Sequence, residues 1–358
     1  MSLLPDADSF RRLVDGTTRG PAATAARLAL AAAAVPYGLV VAARNAAFDR
    51  GLLPRHAAGV PVVSVGNLTL GGTGKTPLVA WVVRALAADG LRPAVVSRGY
   101  GAAAGATSDE ALELALVIPG VPHVADRDRV AAARRAAAAG ATAVVLDDGF
   151  QHRRLARDVD IVAIDATDPW GCDRLFPRGL LREPRAGLCR ADVVVLTRAD
   201  AVAADRRAEI RRAVLAARRG REPAAWAEAV HRPVALRPWA GSPQPLDALA
   251  GARVAAFAAI GNPAAFRRTL ESLGAGVAAF TPLPDHHAYA TADLDALGRA
   301  AAAARADLVV TTLKDLVKVR RSELAGRPLV ALEIALEFVA GAADVAAVLR
   351  RAAGGRLA

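Results

Sequence analysis

The sequence predicts an α/β protein built on a mainly parallel sheet, with a second, smaller α/β domain and an apolar N-terminal helix. Three observations carry this. The β-branched run Pro61-Val62-Val63-Ser64-Val65 leads into a glycine-rich loop and then into apolar residues at helical spacing, Leu78, Val79, Val82, Val83 and Leu86, a pattern that Gly90 stops. Strand-like segments recur at 94–97, 143–147, 159–165 and 193–197, separated by helix-compatible or loop stretches such as 127–139; this alternation argues for parallel strands covered by helices. After a Pro/Arg-rich stretch at 231–245 the rhythm resumes with 254–260, a helical stretch over 263–273, then 308–312 and 329–334.

At 358 residues the chain exceeds one ordinary domain. The expected division is a membrane-associated segment over 1–45, a nucleotide-binding domain over 46–230 and a smaller C-terminal α/β domain over 231–358. The formal net charge of +11 suits a nucleic acid, an anionic membrane surface or a phosphorylated substrate, and charge alone does not choose among them. Cys172 and Cys189 lie far apart with no metal-ligand spacing, so they are expected as buried free thiols in a reducing compartment.

Between Arg27 and Arg44 the chain carries no charge, and Leu28, Leu30, Val35, Leu39, Val40 and Val41 give it apolar content. About 20 residues are needed to span a bilayer core, so a shallow or tilted insertion, or a helix lying in the interface, fits better than a full span. Arginines 11, 12, 19, 27 and 44 flank it, placed to meet anionic headgroups. The competing reading is an Ala-rich helix packed on the protein's own core.

The loop after the first strand reads Gly66-Asn67-Leu68-Thr69-Leu70-Gly71-Gly72-Thr73-Gly74-Lys75-Thr76-Pro77. Glycines 71, 72 and 74 let backbone N–H groups turn toward phosphate oxygens, and the following helix N-terminus adds partial positive charge. Lys75 has the reach for β- and γ-phosphates, Thr76 offers a hydroxyl to Mg²⁺, and Pro77 suits a first helical turn. Thr73 completes the candidate nucleotide-binding run, which points to a nucleoside triphosphate in a P-loop NTPase-like fold. Thr69 stands where the usual pattern opens with glycine.

Asp147 and Asp148 end the apolar strand 143–147, the position at which such folds hold Mg²⁺. Ser97-Arg98-Gly99-Tyr100-Gly101 ends the next candidate strand, with Asp109-Glu110 one loop later. An acid there is placed to take a proton from an attacking hydroxyl, although Asp109 is equally an ordinary helix cap with Ser108 as its rival. His286 and His287 follow Asp285 and read as a metal pair, an acid–base group or exposed residues. Arg174, Arg178 and Arg182 lie in a Pro/Gly-rich loop, as candidates to neutralise phosphoryl charge or as solvated surface arginines.

Together, Ser64–Pro77, Ser97–Gly101, Asp109-Glu110, Asp147–His152, the Arg174–Pro184 loop, Ile260-Gly261-Asn262-Pro263 and Asp285-His286-His287 resemble the tetraacyldisaccharide 4′-kinase family, the lipid A 4′-kinases of Gram-negative bacteria. Thr69 in place of glycine is itself a feature of that family. The resemblance implies transfer of the γ-phosphate of MgATP to the 4′-hydroxyl of a tetraacylated glucosamine disaccharide 1-phosphate at the cytoplasmic face of the inner membrane. It implies Asp109 as general base, tuned by a histidine for which His286 is preferred over His287, and Lys75 as a catalytic cation. It places Thr76, Asp147, Asp148 and Glu110 around Mg²⁺, and Asn67, Arg98, His152, Arg182 and Glu183 in the substrate cleft. Two motifs depart from the family: Ala111 replaces the proline of Gly-Asp-Glu-Pro and Ser108 its glycine, and Leu313 replaces the glutamate of Thr-Glu-Lys-Asp.

An acylated substrate leaves a bilayer at a cost of about 0.8 kcal/mol per CH₂, which accounts for an apolar segment and an arginine excess on its kinase. The rival reading is a switch or partition ATPase; those with a Gly-Gly-x-Gly-Lys-Thr loop resemble one another in a lysine before the paired glycines, where this chain has Leu70. A nucleic-acid partner is not expected, since the sequence has neither aromatic interleaving nor zinc spacing.

Overall fold

The computed structural model describes residues 7–99, 109–285 and 287–354. The chain forms two compact units, one made by Phe10–His231 with Leu336–Ala358, the other centred on Arg232–Ala335.

The chain opens with α1 (Ala7–Val14) and α2 (Pro21–Asp49). The larger unit then runs β1 (Val62–Gly66), α3 (Lys75–Ala88), β2 (Pro93–Ser97), α4 (Asp109–Val117), β3 (His123–Ala125), α5 (Arg129–Ala138), β4 (Ala143–Asp147), β5 (Val159–Asp165), β6 (Val193–Thr197) and α6 (Ala204–Ala217). It continues into β7 (Ala225–Pro238). The strand order is β3-β2-β4-β1-β5-β6-β7, and the neighbouring strands pair in parallel. All residues of β1, β2, β4, β5 and β6 are buried, which is why these strands read as continuous apolar runs rather than alternating ones. β1 lies between β4 and β5, so the chain winds away from it in both directions. The loop after β1 and the end of β4 therefore emerge together at the carboxyl edge of the sheet, where ligands of such folds bind.

The smaller unit contains β8 (Arg253–Ala258), α7 (Pro263–Ser272), β9 (Gly276–Pro282), α8 (Thr291–Ala303), β10 (Leu308–Thr312), α9 (Leu313–Val319) and β11 (Glu323–Leu324). β12 (Arg327–Ala340) lies in parallel beside β10, and β8 joins β10 to β9. Its core packs Leu236, Val254, Phe266, Leu270, Val310 and Leu332.

Four expectations need correction. The 231–245 stretch is not irregular throughout, since β7 continues through it to Pro238, although the two units do divide at His231/Arg232. Residues 336–358 group with the larger unit; α10 (Ala342–Gly354) buries Val345, Val348 and Leu349, and Phe338 meets Trp81 of α3 edge-on at 4.6 Å. The two cysteines are not buried, Cys172 being half-buried and Cys189 exposed. Among the flanking arginines, Arg11 pairs with Asp168, Arg27 donates to Thr18 O and Arg44 donates to Gln151 O, so these three bind protein groups.

α2 is longer than the uncharged stretch because alanine continues the helix at both ends. It spans 29 residues, and its most apolar 18-residue stretch has a mean hydropathy of 1.7 with none of that stretch buried. Leu28 and Leu39 are each 67% exposed and Val35 62%. One face of α2 is therefore exposed, while Ala23, Tyr37, Asn45 and Phe48 turn toward the protein.

Candidate active site at the glycine-rich loop

β1 ends at Gly66, where a Cβ would lie 2.7 Å from Phe150. Only glycine lets the strand pass so close to the segment that follows Asp147 and Asp148. The loop then turns through Gly71 (φ 110°) and Gly74 (φ 76°), both in conformations that favour glycine. Gly74 caps α3 in the left-handed region, with no side chain hydrogen-bonded at the cap and no acidic residue in the first turn. The helix N-terminus thus keeps its amides for an anion. A Cβ on Gly71 or Gly72 would meet nothing within 4 Å, so the loop faces open space. Thr73 is buried, whereas Thr76 and Pro77 are half-buried in the first turn.

Lys75 Nζ is held at the loop by two groups. It donates to Asn67 Oδ1 at 3.2 Å and lies 3.4 Å from Asp148 Oδ1. Asn67 is fully buried and its Nδ2 donates to Thr69 O at 2.8 Å, so it orients the lysine from beneath rather than lining a cleft. Asp148 follows β4 with φ of 50°, a left-handed conformation aspartate tolerates better than most residues. That turn sends its side chain away from the direction of Asp147, toward Lys75. Arg182 donates to both Asp148 oxygens, at 2.9 and 2.7 Å, and Arg129 donates to Asp148 O at 2.8 Å. Burial opposes ionisation of Asp148, but Lys75, Arg182 and Arg129 overcome it and hold its carboxyl at about 2. Three cations around one carboxylate leave an excess of positive charge at the mouth of the loop.

Arg182 arrives by backbone pairing. Leu70 N donates to Leu180 O at 2.7 Å and Arg182 N to Leu68 O at 2.8 Å, which pins the arginine-rich loop against the glycine-rich one. Glu183, expected in the substrate cleft, is only 1% exposed. It accepts two bonds from Arg190 at 2.8 and 2.7 Å, one from Gln151 at 3.0 Å and one from Asn45 of α2 at 3.1 Å. Gln151 Nε2 also donates to Asn67 O at 2.9 Å, and Tyr37 OH of α2 donates to Arg182 O at 2.7 Å. The apolar helix is therefore linked to both residues that hold Lys75, to Asp148 through Arg182 and to Asn67 through Glu183 and Gln151. His152 is half-buried, and burial together with Arg129 and Arg157 lowers its pKa to about 4, which keeps the ring neutral. Arg98 is exposed at the end of β2.

For a divalent cation the fit is that of Mg²⁺ bound with a phosphate ligand. Among the described residues no cluster of three or more His, Cys, Asp or Glu forms a protein cage; Mg²⁺ characteristically takes one or two carboxylates plus substrate phosphates. Asp147 is 7% exposed at the end of β4, and Thr76 offers its hydroxyl one position after the lysine. Asp148 is engaged by Arg182 and Lys75.

Asp109 is exposed at the first residue of α4; the side chain of Glu110 and all of Ser108 and His286 lie outside what is described. In the smaller unit, His287 Nε2 meets Asp293 Oδ2 at 3.1 Å and its ring stands edge-on to Tyr289. These contacts fix the orientation of the His287 ring. Asp285 is paired with Lys314 at 3.0 Å. Thr312 caps α9 through Asp315 N, and the buried Asp315 accepts from Thr312 Oγ1 at 2.7 Å and Ala259 N at 3.0 Å. Leu313, which stands where the family pattern has glutamate, is 6% exposed, so this position is core.

Sequence reasoning gave no role to Asn45, Arg129, Gln151, Arg190, Thr197, Arg198 or His231. The first four act on the expected residues from remote chain positions; the last three back the loop itself.

The family model described as tetraacyldisaccharide-1-P 4′-kinase matches residues 26–353. A tetraacyldisaccharide 4′-kinase of Anaeromyxobacter dehalogenans (strain 2CP-C) is 44% identical, covering 92% of this chain and 92% of the relative. That of Syntrophus aciditrophicus is 41% identical over 83% of this chain and 86% of its own. The crystal structure of LpxK from Aquifex aeolicus in complex with ATP superposes with a TM-score of 0.71 at 27% identity, covering 91% of this chain and 99% of that one. On these matches the chain belongs to the tetraacyldisaccharide-1-P 4′-kinase family.

Proposed function

We propose that this chain transfers the γ-phosphate of ATP to the 4′-hydroxyl of a tetraacylated glucosamine disaccharide 1-phosphate. The observation that carries the reading is the placement of Lys75 between Asn67 and Asp148 at the uncapped N-terminus of α3, in a chain of this family. MgATP, when bound, supplies the phosphoryl group and the divalent charge that offsets its oxygens. The amides of 71–76 and Lys75 would bind the phosphates, with Thr76 and Asp147 holding the metal. Arg182 and Arg129, kept in place by Asp148, add positive charge where the transferring group becomes more negative. Asp109 would take the proton of the attacking hydroxyl, and the role expected of His286 rests on the family resemblance alone.

α2 supports a membrane-surface location at the cytoplasmic face of the inner membrane, where ATP and an acylated acceptor meet. Its face at Leu28, Val35 and Leu39 is apolar and exposed, which suits a helix lying in the interface.

The test is phosphorylation of the disaccharide 1-phosphate by purified protein in detergent with radiolabelled ATP. Labelled lipid is expected, and Asp109→Ala should lower turnover by about 10²–10⁴-fold, the usual contribution of a general base, while nucleotide binding persists. ATP hydrolysis with no labelled lipid would favour a switch ATPase instead. Near-normal turnover of Asp109→Ala would remove the base assignment, and His286→Ala tests the histidine in the same assay.

A further inference from the structure

The back of the glycine-rich loop is held as specifically as its front. Thr197, the last residue of β6, is fully buried, and its Oγ1 donates to Thr73 O at 3.0 Å. The next residue, Arg198, donates to Gly72 O at 3.2 Å while its other nitrogen is paired with Asp165 at the end of β5. Arg198 has φ of 53°, a left-handed backbone that arginine seldom adopts, and Asp165 is itself fixed by Thr167 through bonds of 2.9 and 2.7 Å. His231 of β7, the neighbouring strand, completes the support. A Cβ on Gly74 would fall 2.3 Å from its Cε1 and 2.4 Å from its Nε2, so the imidazole occupies the space that a side chain at 74 would need.

The consequence follows from peptide geometry. A trans peptide is planar, with its C=O and the next N–H pointing in opposite directions. Holding the carbonyl of Gly72 toward β6 turns the amide of Thr73 to the other side, and holding that of Thr73 does the same for Gly74. Those are amides that a phosphate-binding loop must present.

We propose that Thr197, Arg198 and His231 are positioning residues that set the amides of Thr73 and Gly74 before nucleotide arrives. The proposal rests on the reading of residues 71–76 as the phosphate-binding loop. Preset amides need no reordering on binding, so the effect belongs in nucleotide affinity more than in the rate at saturation. The ring of His231 acts by shape: burial and Arg198 lower its pKa to about 4, so it adds no charge at neutral pH.

The experiment uses the full-length protein with Thr197→Val, Thr197→Ser, Arg198→Ala and His231→Ala. Amide hydrogen exchange of the peptide spanning 66–77 is read without nucleotide, and affinity is read with a fluorescent ATP analogue and Mg²⁺. Thr197→Val, Arg198→Ala and His231→Ala should each speed exchange in that peptide several-fold and weaken analogue binding about tenfold. The melting temperature and exchange in β4 and β5 should stay near wild type, and Thr197→Ser, which keeps the donor, should restore both readouts. Because Thr197 is fully buried, a misfolded valine variant is set aside in favour of the half-exposed Arg198. Loop exchange and affinity equal to wild type in Arg198→Ala and His231→Ala would overturn the proposal, as would uniform loss of protection across the sheet. If the wild type binds no nucleotide, the kinase reading fails, and the exchange measurement still decides whether these residues order the loop.

Discussion

Arg182 Nη1 reaches both carboxylate oxygens of Asp148, and Lys75 Nζ lies 3.4 Å from the nearer of them. One carboxylate thus sets two cations on the same side of the loop. Asp148→Asn keeps the shape and removes the charge that holds them. Turnover is expected to fall at least about 10²-fold, the scale for losing a preorganised electrostatic contact. Because Asp148 is half-buried rather than enclosed, the fold should persist. Steady-state rates and a melting curve of the same preparation check both halves.

The pH dependence of stability follows from groups with depressed values. His152 and His231 are held at about 4, against 6.5 for a free histidine, by burial first and by arginines second. Their neutral forms stabilise the fold fully above 6.5. As pH falls from 6.5 to about 4 the unfolded chain binds protons that the folded one does not, so stability declines across that window. Asp148, depressed to about 2, adds its own loss only below the ordinary carboxylate range, near 4 and downward. Urea unfolding from pH 7.5 to 4 should show the first decline, and His152→Gln should reduce its slope. A flat profile over that range would contradict neutral rings.

Glu183 is a stability residue as well as a bridge. It is 1% exposed and bonded to Arg190, Gln151 and Asn45. Removing one partner of a buried ion pair strands the other, at a cost of about 3–5 kcal/mol. Glu183→Ala should therefore lower the melting temperature of the larger unit by about 6–20 °C, taking about 2–4 °C per kcal/mol for a unit of that size. A change within 2 °C or so would show that solvent reaches Arg190.

The contrast between Glu183 and β4 shows what a sequence makes legible. The strands 143–147, 159–165, 193–197 and 308–312 stand at the expected residues, because strands buried on both faces give unbroken apolar runs. The phosphate-loop run was legible for a similar reason, since its chemistry lies in adjacent residues. β7 was not. Alanine carries little of its buried-and-exposed alternation, and Pro233 argues against a strand. The hold on Lys75 was half legible: Asp148 could be named from its place after an apolar strand, but the bond from Asn45 to Glu183 joins residues 138 apart, and no local pattern announces such a pair. His231 was hidden in the same way, as its partner Gly74 lies in a different strand–loop unit.

α2 gives a prediction that separates anchoring from assembly of the site. Leu28, Val35 and Leu39 fall on one face, each well exposed. Tyr37 lies about half a turn round the helix from them, bonded to Arg182 O, with Asn45 bonded to Glu183 on the same inner side. Deleting the helix would therefore disturb Arg182 and Glu183 as well as any membrane contact. Leu28→Glu with Leu39→Glu alters only the outer face. Burying a leucine in hydrocarbon contributes about 1.5–3 kcal/mol, so losing two should weaken partition into anionic phospholipid vesicles by at least about 10²-fold. The double variant is expected in the supernatant after co-sedimentation, with unchanged turnover in detergent on an acceptor bearing short acyl chains. Sedimentation equal to wild type would show that this face does not meet the bilayer, whereas lost turnover with retained sedimentation would show that the helix serves the nucleotide site alone.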